Sequence, residues 1–319
     1  MELPDTSSAR IAIVKQEQRG VIPATPAWLT LPITQATITD QLDSEDSNVL
    51  RPDRQYSNAR ILTGSSGGDA ELESFYGPAM DMLLMGLLQS NASAWASEAS
   101  KFNASVKHYF SIEKSHLDAK EAMVYKWFKD AQVNSMNFSI DANSFSGVTV
   151  NFMSVETEAG TDPVVGSSYT SVDMSDQFDT NSVTIKIKDD QGQEIEDVEV
   201  ESGSVEVGND LRKRSAVGKF YGAGNASSRF SCMYNFSMYF SDLKFYDAFK
   251  ANKSFEIEIE FRTPKGNIYK LVSKNCKVTT YDDPIGGIDS DLMVDISFRA
   301  NADDQSPSRT LEITKVDAA

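Results

Sequence analysis

Residues 255–262 read Phe-Glu-Ile-Glu-Ile-Glu-Phe-Arg, and this stretch decides the fold class. Large apolar residues alternate with charged ones, which is typical of a β-strand with one face in a core and the other in water. Residues 263–267 contain a proline and a glycine and are typical of a turn, so Ile268 to Val272 is predicted as the partner strand. Further strands are predicted at 70–75, 108–113, 123–128, 148–155 and 292–298.

Two short helices are predicted beside these strands. In Pro78 to Leu88 the apolar residues recur at intervals of three and four, which is the spacing of one buried helical stripe, and proline suits a first helical turn. In the second helix Ser241 or Asp242 is a good N-cap, and Phe245, Tyr246 and Phe249 form the buried side. Both helices are predicted to cover a sheet.

The same order of elements occurs twice, which indicates an internal duplication. A shift of 161 positions places Asn48, Leu50 and Arg51 on Asn209, Leu211 and Arg212. A shift of 144 positions matches residues 124–126 with 268–270 and residues 148–150 with 292–294. The difference implies one insertion in the first copy, and the Ser/Ala/Asn-rich run from Gln89 to Lys107 is the natural place for it.

The predicted fold class is therefore mainly β, with two duplicated β-sandwich or half-barrel domains that each carry one short flanking α-helix. The predicted boundaries are 1–156 for the first domain, 157–182 for a linker, 183–300 for the second domain and 301–319 for a C-terminal segment. The linker prediction rests on a composition rich in Ser, Thr, Asp and Gly with little periodicity.

Charge and composition exclude several classes of function. The chain has 319 residues and a formal net charge of −17, so its surface repels nucleic acid at long range. The beginning of the chain lacks the pattern of a secretory signal, and the longest apolar run, residues 79–88, contains Asp81 and is too short to span a bilayer. We therefore expect no membrane insertion. Cys232 and Cys276 are expected to be reduced thiols.

Known catalytic and metal-binding patterns are not found. His108 and His116 are the only histidines, which excludes a three-histidine zinc site, and no G-x-S-x-G segment occurs. The aspartates of residues 282–291 lack the spacing of an EF-hand and are expected to be solvated. We predict a protein without catalytic residues, cofactor or metal.

Two polar segments occupy matching places, Asp43 to Asp69 and Val207 to Arg229, and each contains a glycine cluster. Neither cluster has the Gly-Lys-Ser/Thr ending of a phosphate-binding loop. Both segments are predicted to be mobile hairpin arms with glycines at the tip. Because long loops in compact domains are usually functional or disordered, their presence in both copies favours a function.

Several short motifs resemble a known family. They lie at residues 9–12 (Ala-Arg-Ile-Ala), 23–34 (Pro-Ala-Thr-Pro-Ala-Trp-Leu-Thr-Leu-Pro-Ile-Thr) and 48–55 (Asn-Val-Leu-Arg-Pro-Asp-Arg-Gln), with similar stretches at 71–88 and 309–314. In this order they resemble the tail tube proteins of long-tailed bacteriophages. The second copy departs from the pattern, because no Pro-Asp-Arg follows Leu211 and Arg212.

The resemblance implies a structural subunit of a tail tube, whose inner strands join neighbours into a continuous wall around DNA. It implies trimeric rings with pseudo-sixfold symmetry that stack into a conduit for DNA ejection. The implied partners are further copies of the chain, tail terminator and tail tip proteins, and, transiently in the lumen, the tape-measure protein and double-stranded DNA. The implied location is the virion, after synthesis in the host bacterial cytoplasm.

Two groups of residues are predicted to serve this function. An arm that connects stacked rings is assigned to Asn48, Leu50, Arg51, Pro52, Asp53, Arg54, Asn209, Leu211 and Arg212. An acidic lumen wall is assigned to Asp40, Asp43, Glu45, Asp46, Glu256, Glu258 and Glu260, because acidic side chains let a DNA duplex slide without being held. The alternatives are a carbohydrate-binding or adhesin-type β-sandwich of a virion and, less favoured, a hydrolase with paired carboxylates.

Overall fold

Two layers of antiparallel strands enclose one apolar core, and a helix lies in each half of the chain. The computed structural model describes residues 8–47, 49, 52–53, 59–96, 100–142, 144, 146–285, 287 and 291–318. The mainly β class predicted from the sequence is confirmed.

The first half contains β1 (Arg10–Lys15), β2 (Ala27–Leu31), β3 (Ile33–Ala36), β4 (Thr39–Glu45), β5 (Arg60–Glu73), α1 (Pro78–Leu88), β6 (Lys101–Phe102), β7 (Phe110–Leu117), β8 (Met123–Asp141) and β9 (Gly147–Ser154). It is followed by β10 (Glu156–Gly160) and β11 (Ser168–Thr170). The second half contains β12 (Val183–Lys188), β13 (Val200–Gly208), β14 (Arg212–Lys213), β15 (Asn225–Ala226), β16 (Ser231–Tyr239), α2 (Lys244–Ala251), β17 (Ser254–Arg262), β18 (Ile268–Asp282), β19 (Met293–Ala300) and β20 (Glu312–Val316). Short 3₁₀ turns lie at Ala92–Ala96, Met174–Asp176 and Thr180–Ser182.

One layer, which we call the continuous layer, runs through both halves. Its strands follow the order β3/β4, β5, β9, the end of β8, β13, β16, β19 and the end of β18. The second layer consists of two groups, one with β1, β2, β7, β10 and the beginning of β8, the other with β12, β17, β20 and the beginning of β18. The long strands β8 and β18, of 19 and 15 residues, therefore belong to both layers.

The two halves repeat the same pairing order. In the first half each strand pairs with the next in the order β1, β7, β8, β9, β5, β4. The equivalent order in the second half is β12, β17, β18, β19, β16, β13. Irregularities in the ladders recur as well: Thr34 corresponds to Glu201, Ser111 to Glu256 and Asn134 to Thr279. Bulges are built-in features of a sheet and not accidents, so their recurrence supports the duplication hypothesis.

The structural correspondence corrects the shifts inferred from the sequence. The helices begin at Pro78 and Lys244, 166 positions apart instead of 161, and the bulges at Asn134 and Thr279 are 145 positions apart instead of 144. The extra segment of the first half does lie where the sequence placed it, because 21 residues separate α1 from β7 but only two separate α2 from β17.

The segment 157–182, predicted as a linker, is an integral part of the fold. Residues 156–160 pair with β8, and β11 adds a parallel strand to β2. Phe178 is buried beside Phe261 and Tyr269. Short strands at a layer edge need little periodicity when the neighbouring strand supplies the hydrogen bonds, so composition alone does not distinguish them from a linker.

The main apolar cluster contains side chains of both halves, and a smaller cluster around Trp28 and Trp127 lies in the first half. Phe138 of the first half lies 6.0 Å from Phe261 of the second, measured between ring centroids. Helix α1 has the predicted bounds and buries eight of its residues, including Leu83 and Leu87 at 0% exposure. Each such leucine contributes roughly 1.5–3 kcal/mol to folding. The domain boundaries stay a prediction.

Candidate assembly junction and polar face

The two halves are joined edge to edge inside the continuous layer. Ser135–Asp141 of β8 pairs with Ser202–Gly208 of β13 in an antiparallel ladder. Asn137 lies opposite Glu206, and Phe138 lies opposite Val205. Because the strand order on either side of this ladder is the same, the junction shows how one unit of this fold docks on the next.

Asn209 reinforces the junction directly after β13. Its side chain is 4% exposed, and its amide donates hydrogen bonds to the carbonyl oxygens of Leu87 at 2.9 Å and Val133 at 3.1 Å. Asn134 accepts a hydrogen bond from the backbone of Leu211 at 2.8 Å and donates one to Asn151. Leu211 is itself buried at 8% exposure. Asn209 and Leu211 therefore hold the halves together within one chain and are not part of a free arm; only Arg212, in β14, is exposed.

The glycine-rich segments are likewise not tips of arms. Gly64 to Gly68 lie within β5, and a Cβ at Gly64 would come within 2.8 Å of the rings of Phe220 and Tyr221. Gly68 adopts φ +139 and lies against the carbonyl of Thr37. These glycines permit close approach of neighbouring chain segments. The prediction failed because Gly and Ser are typical of loops unless such packing requires them.

The loop after β14 closes over the first half. Lys213 donates a hydrogen bond from Nζ to Thr63 Oγ1 at 2.7 Å, and the backbone N–H of Gly64 donates to the carbonyl of Phe220 at 3.2 Å. Arg19 donates to the carbonyl of Ala223 at 2.9 Å. The second polar segment is therefore hydrogen-bonded to the first half and links the two halves.

One face of the continuous layer is polar from edge to edge. Directly opposed residues of an antiparallel pair share a face, so the ladder registers give rows across all eight strand positions. One such row is Gln35, Glu71, Thr149, Asn137, Glu206, Met233, Arg299 and Lys277. The alternating residues, for example Leu72, Val148 and Phe138, point into the core.

This polar face is acidic. It carries the carboxylates of Asp43, Asp69, Glu71, Glu73, Asp141, Glu206, Asp282 and Asp295 against the bases Lys277 and Arg299. Within the described ranges none of these eight carboxylates forms an ion pair with a lysine or arginine. The face therefore keeps a net negative potential, which screening confines to about 8 Å at physiological salt.

The glutamates predicted for an acidic wall lie elsewhere. Glu256, Glu258 and Glu260 are on β17, in the second layer, and point away from the core. Each pairs with a base: Lys188 Nζ lies 2.8 Å from Glu256, Lys270 Nζ 2.7 Å from Glu258, and Arg262 Nη2 2.7 Å from Glu260. They are a neutralised strand face across the core from the polar face. Lys188 accordingly has a pKa raised by its hydrogen bond to Glu256.

The other predicted wall residues divide between surfaces. Asp43 belongs to the polar face, opposite Thr63. Asp40 has the opposite orientation along the strand and lies 3.7 Å from Lys126. Glu45 and Asp46 are exposed at the end of the β4–β5 hairpin.

Part of the predicted arm cannot be placed. Asn48, Leu50, Arg51 and Arg54 lie outside the described residues, whereas Pro52 and Asp53 form an exposed turn. The hairpin that leads to them exposes apolar side chains: Leu42 is 49%, Ile61 55% and Leu62 54% exposed. The first polar segment thus keeps its candidacy as an arm.

A buried carboxylate fastens the segment around β11 to the first half. Glu113 has 0% exposure and accepts hydrogen bonds from Arg10 at 3.0 Å, from Trp127 at 3.0 Å and from Tyr169 at 2.9 Å. Arg10 also stacks on the ring of Tyr169, 3.8 Å from its centroid. Burial and the bond to Glu113 raise the pKa of Tyr169 to about 12. Glu113 therefore holds Arg10, Trp127 and Tyr169 together inside the fold.

No cluster of His, Cys, Asp and Glu in the described part of the chain could hold a metal ion. Cys232 and Cys276 are buried and free, and burial raises the pKa of Cys232 to about 12. None of the described helices is both long and apolar enough to span a membrane.

Sequence reasoning missed most of the polar face. The alternation of Val148, Thr149, Val150 and Asn151 was visible, but the sequence did not show which strands would share a layer. Only the pairing order brings Glu71, Glu206 and Asp295 onto one face.

Comparison with known proteins gives a family-level result. The family model described as "Phage tail tube protein" matches residues 6–300. Among solved structures, a chain of the cryo-EM structure of the anti-feeding prophage baseplate, 6-fold symmetrised, is similar at 10% identity with a TM-score of 0.34; the alignment covers 52% of this chain and 99% of that chain. No curated protein matches the chain.

Proposed function

Because the chain belongs to the phage tail tube protein family, we propose that it is a structural subunit that joins further copies of itself into rings, which stack into the conduit for DNA ejection. The observation that carries the proposal is the continuous layer, which has one acidic polar face, one core face and, among the described residues, a strand at each end whose outer edge has no partner strand. Open edges of this kind tend to pair with a strand of another chain unless they are protected.

Ring order follows from the internal repeat. Each half contributes four strand positions, so three chains would contribute about 24, arranged with pseudo-sixfold symmetry by head-to-tail contacts. Strands spaced ~4.8 Å apart and tilted by ~40° would form a backbone circle roughly 48 Å across. A barrel of this size has an open bore, and the polar face, not the core face, would line it.

Electrostatics explain how such a bore could pass DNA. Every lysine or arginine that contacts phosphate releases counterions and adds affinity, which would hold the duplex. The eight carboxylates and two bases of the polar face give each chain an excess of negative charge at the wall. A duplex would therefore be repelled from all sides and slide.

Further elements of the proposal concern partners and location. We place the exposed β4–β5 hairpin, with Leu42, Ile61 and Leu62, between stacked rings, where these side chains would be buried. The ends of the tube would meet tail terminator and tail tip proteins, and the bore would hold the tape-measure protein before DNA. The subunit would be made in the host cytoplasm and function in the virion.

The tryptophans give the adhesin alternative no support, although Phe220, Tyr239 and Tyr246 are 40%, 41% and 38% exposed. A carbohydrate-binding sandwich needs exposed aromatic rings, usually tryptophan, at its loops. Trp28, Trp95 and Trp127 are 0%, 9% and 8% exposed.

Negative-stain microscopy and size exclusion of the purified protein test the proposal. We expect high-mass species that appear as stacked rings with an open bore. A monomer that forms no rings at high concentration would refute the proposal.

A charge-reversal experiment tests which face lines the bore. The double variant Glu71→Lys/Glu206→Lys should form tubes that retain short duplex DNA at low salt and release it as salt rises. The matched variant Glu121→Lys/Glu196→Lys changes exposed glutamates away from the polar face and should behave as the unmodified protein does. Equal DNA retention by both variants would show that the polar face is not the wall.

A further inference from the structure

The junction inside one chain has a counterpart at each end of the continuous layer. The bulge at Thr34 corresponds to the bulge at Glu201, so strand β3/β4 is equivalent to β13 with a shift of 167 positions. The bulge at Asn134 corresponds to the bulge at Thr279, so β8 is equivalent to β18 with a shift of 145 positions. The edge of β8 and the edge of β13 are joined in the chain. Their counterparts, the end of β18 and the strand β3/β4, have no strand partner on their outer edges among the described residues.

We propose, building on the tube function proposed above, that the end of β18 in one copy pairs with β3/β4 of a second copy in the register of the internal junction. Ser135 opposite Gly208 translates into Thr280 opposite Gln41 of the next copy. Asn137 opposite Glu206 translates into Asp282 opposite Thr39. The partner is therefore the first half of another copy of this chain, bound in antiparallel orientation.

The side chains along both edges are consistent with this pairing. Gln35, Thr37 and Thr39 are exposed on one edge, and Thr280 and Asp282 are exposed on the other. At Ile38 the carbonyl oxygen accepts a hydrogen bond from Lys114 at 3.2 Å, so a charged group occupies one of the outward-facing carbonyls of this edge. Charged side chains of this kind limit indiscriminate strand pairing.

Helix α2 provides a second, independent observation. In the first half, Met80 on α1 is 2% exposed, and Tyr269 of the second half donates a hydrogen bond to Asp81 on that helix at 2.6 Å. The counterpart of Met80 at the 166 shift is Tyr246, which is 38% exposed, next to Leu243 at 55%. The second half thus contacts α1, whereas the corresponding side of α2 stays partly exposed in the described chain.

We call Leu243 and Tyr246 the α2 patch. Tyr246 lies 5.5 Å from the ring of Tyr281 on β18, so the patch adjoins the open edge. Ile285, which follows the end of β18, is 90% exposed. The hydroxyl of Tyr281 is buried without a hydrogen-bond partner in the described structure. In the proposed register Asp40 of the next copy lies opposite Tyr281, so the same docking event covers the patch and brings polar groups to this hydroxyl.

Disulfide trapping tests the register. Opposed residues of an antiparallel pair have Cα atoms about 4.5–5.5 Å apart, which is within disulfide range. A mixture of Asp282→Cys and Thr39→Cys proteins should yield a covalent dimer under mild oxidation, and neither protein alone should. The double variant Asn137→Cys/Glu206→Cys is the matched control, because the same positions of the internal junction should close within one chain. Cys232 and Cys276 are buried and should not contribute.

Two further variants separate the possible outcomes. Gln35→Cys lies four residues from Thr39 on the same face and should not cross-link to Asp282→Cys. Leu243→Asp/Tyr246→Asp should abolish high-mass species while the fold persists, whereas Val165→Asp, at an 87% exposed site elsewhere, should not. Tubes that form without the predicted cross-link, or with the Gln35 cross-link, would overturn this register and leave the proposed function intact. Absence of both tubes and cross-link would overturn both.

Discussion

Asn209 distinguishes a structural junction from a free arm, because the two roles predict opposite results for one substitution. Asn209→Ala removes the donor to the carbonyls of Leu87 and Val133, whose residues are 0% and 1% exposed. A buried carbonyl without a partner costs about 1–3 kcal/mol. Losing two partners should therefore lower the free energy of unfolding by roughly 2–6 kcal/mol.

Asn209→Asp extends this prediction to the pH dependence of the free energy of unfolding. The introduced carboxylate would face two carbonyl oxygens, so its pKa in the folded state would rise above the usual value of about 3.9. A group with a raised folded pKa is most favourable below its unfolded pKa and loses that stability as pH rises. At neutral pH Asn209→Asp should be less stable than Asn209→Ala, and the order should reverse in acid, where the protonated carboxyl can donate one hydrogen bond.

Urea unfolding followed by tryptophan fluorescence measures these changes, since Trp28, Trp95 and Trp127 are all buried in the first half. Asn137→Ala, at an exposed asparagine of the junction strand, is the control and should change stability by less than about 0.5 kcal/mol. If Asn209→Ala unfolds like the unmodified protein but fails to assemble, Asn209 belongs to an assembly arm and the junction argument is wrong.

Two further predictions concern buried ionisable groups. Glu113→Gln removes the charge that Arg10, Trp127 and Tyr169 share, so we expect a loss of about 3 kcal/mol in urea unfolding, against no change for exposed Glu17→Gln; equal stability of the two would contradict a central role for Glu113. Nε2 of His108 donates a hydrogen bond to the carbonyl oxygen of Ser90 at 2.6 Å, and burial lowers the pKa of His108 below the usual 6.5. Its neutral form therefore stabilises the fold above pH 6.5, and this contribution should fall as pH drops from 6.5 toward the lower folded pKa; His108→Gln should show a flatter stability profile between pH 7 and 5, and an unchanged slope would exclude His108 as the cause.

Strands and helices that keep one face toward the core along their whole length could be predicted from the sequence. Residues 255–262 alternate because every second side chain enters the same core, and Pro78–Leu88 carries one stripe because α1 packs against one side of the core. Both were predicted with bounds close to those observed. Their patterns are local, so the sequence contains the whole signal.

Elements that change environment could not be predicted in full. Strand β8 was predicted only to residue 128, yet it continues to Asp141. Residues 130–133 are all buried, which breaks the alternation because the strand passes from one layer to the other there. Periodicity describes a single face and fails at such a crossing.

The site required pairing information that no single strand contains. Glu256, Glu258 and Glu260 were noticed because they are adjacent in the sequence, but bases on neighbouring strands neutralise them. Glu71 and Glu206 are distant in the sequence and share one row only through three intermediate ladders. The family resemblance motivated the proposed assembly, and the sheet registers show which side chains share a face.

The extra segment between α1 and β7 has a consequence for anything that binds the outside of an assembled ring. It is anchored by Ser90, Trp95 and the β6–β20 pair, and the second half has no equivalent. Neighbouring halves of the proposed ring would consequently share one strand order on the channel side and differ on the exterior. A protein that binds the outer circumference would thus meet an identical surface once per chain. A molecule that passes through the centre would meet nearly the same strand order twice per chain.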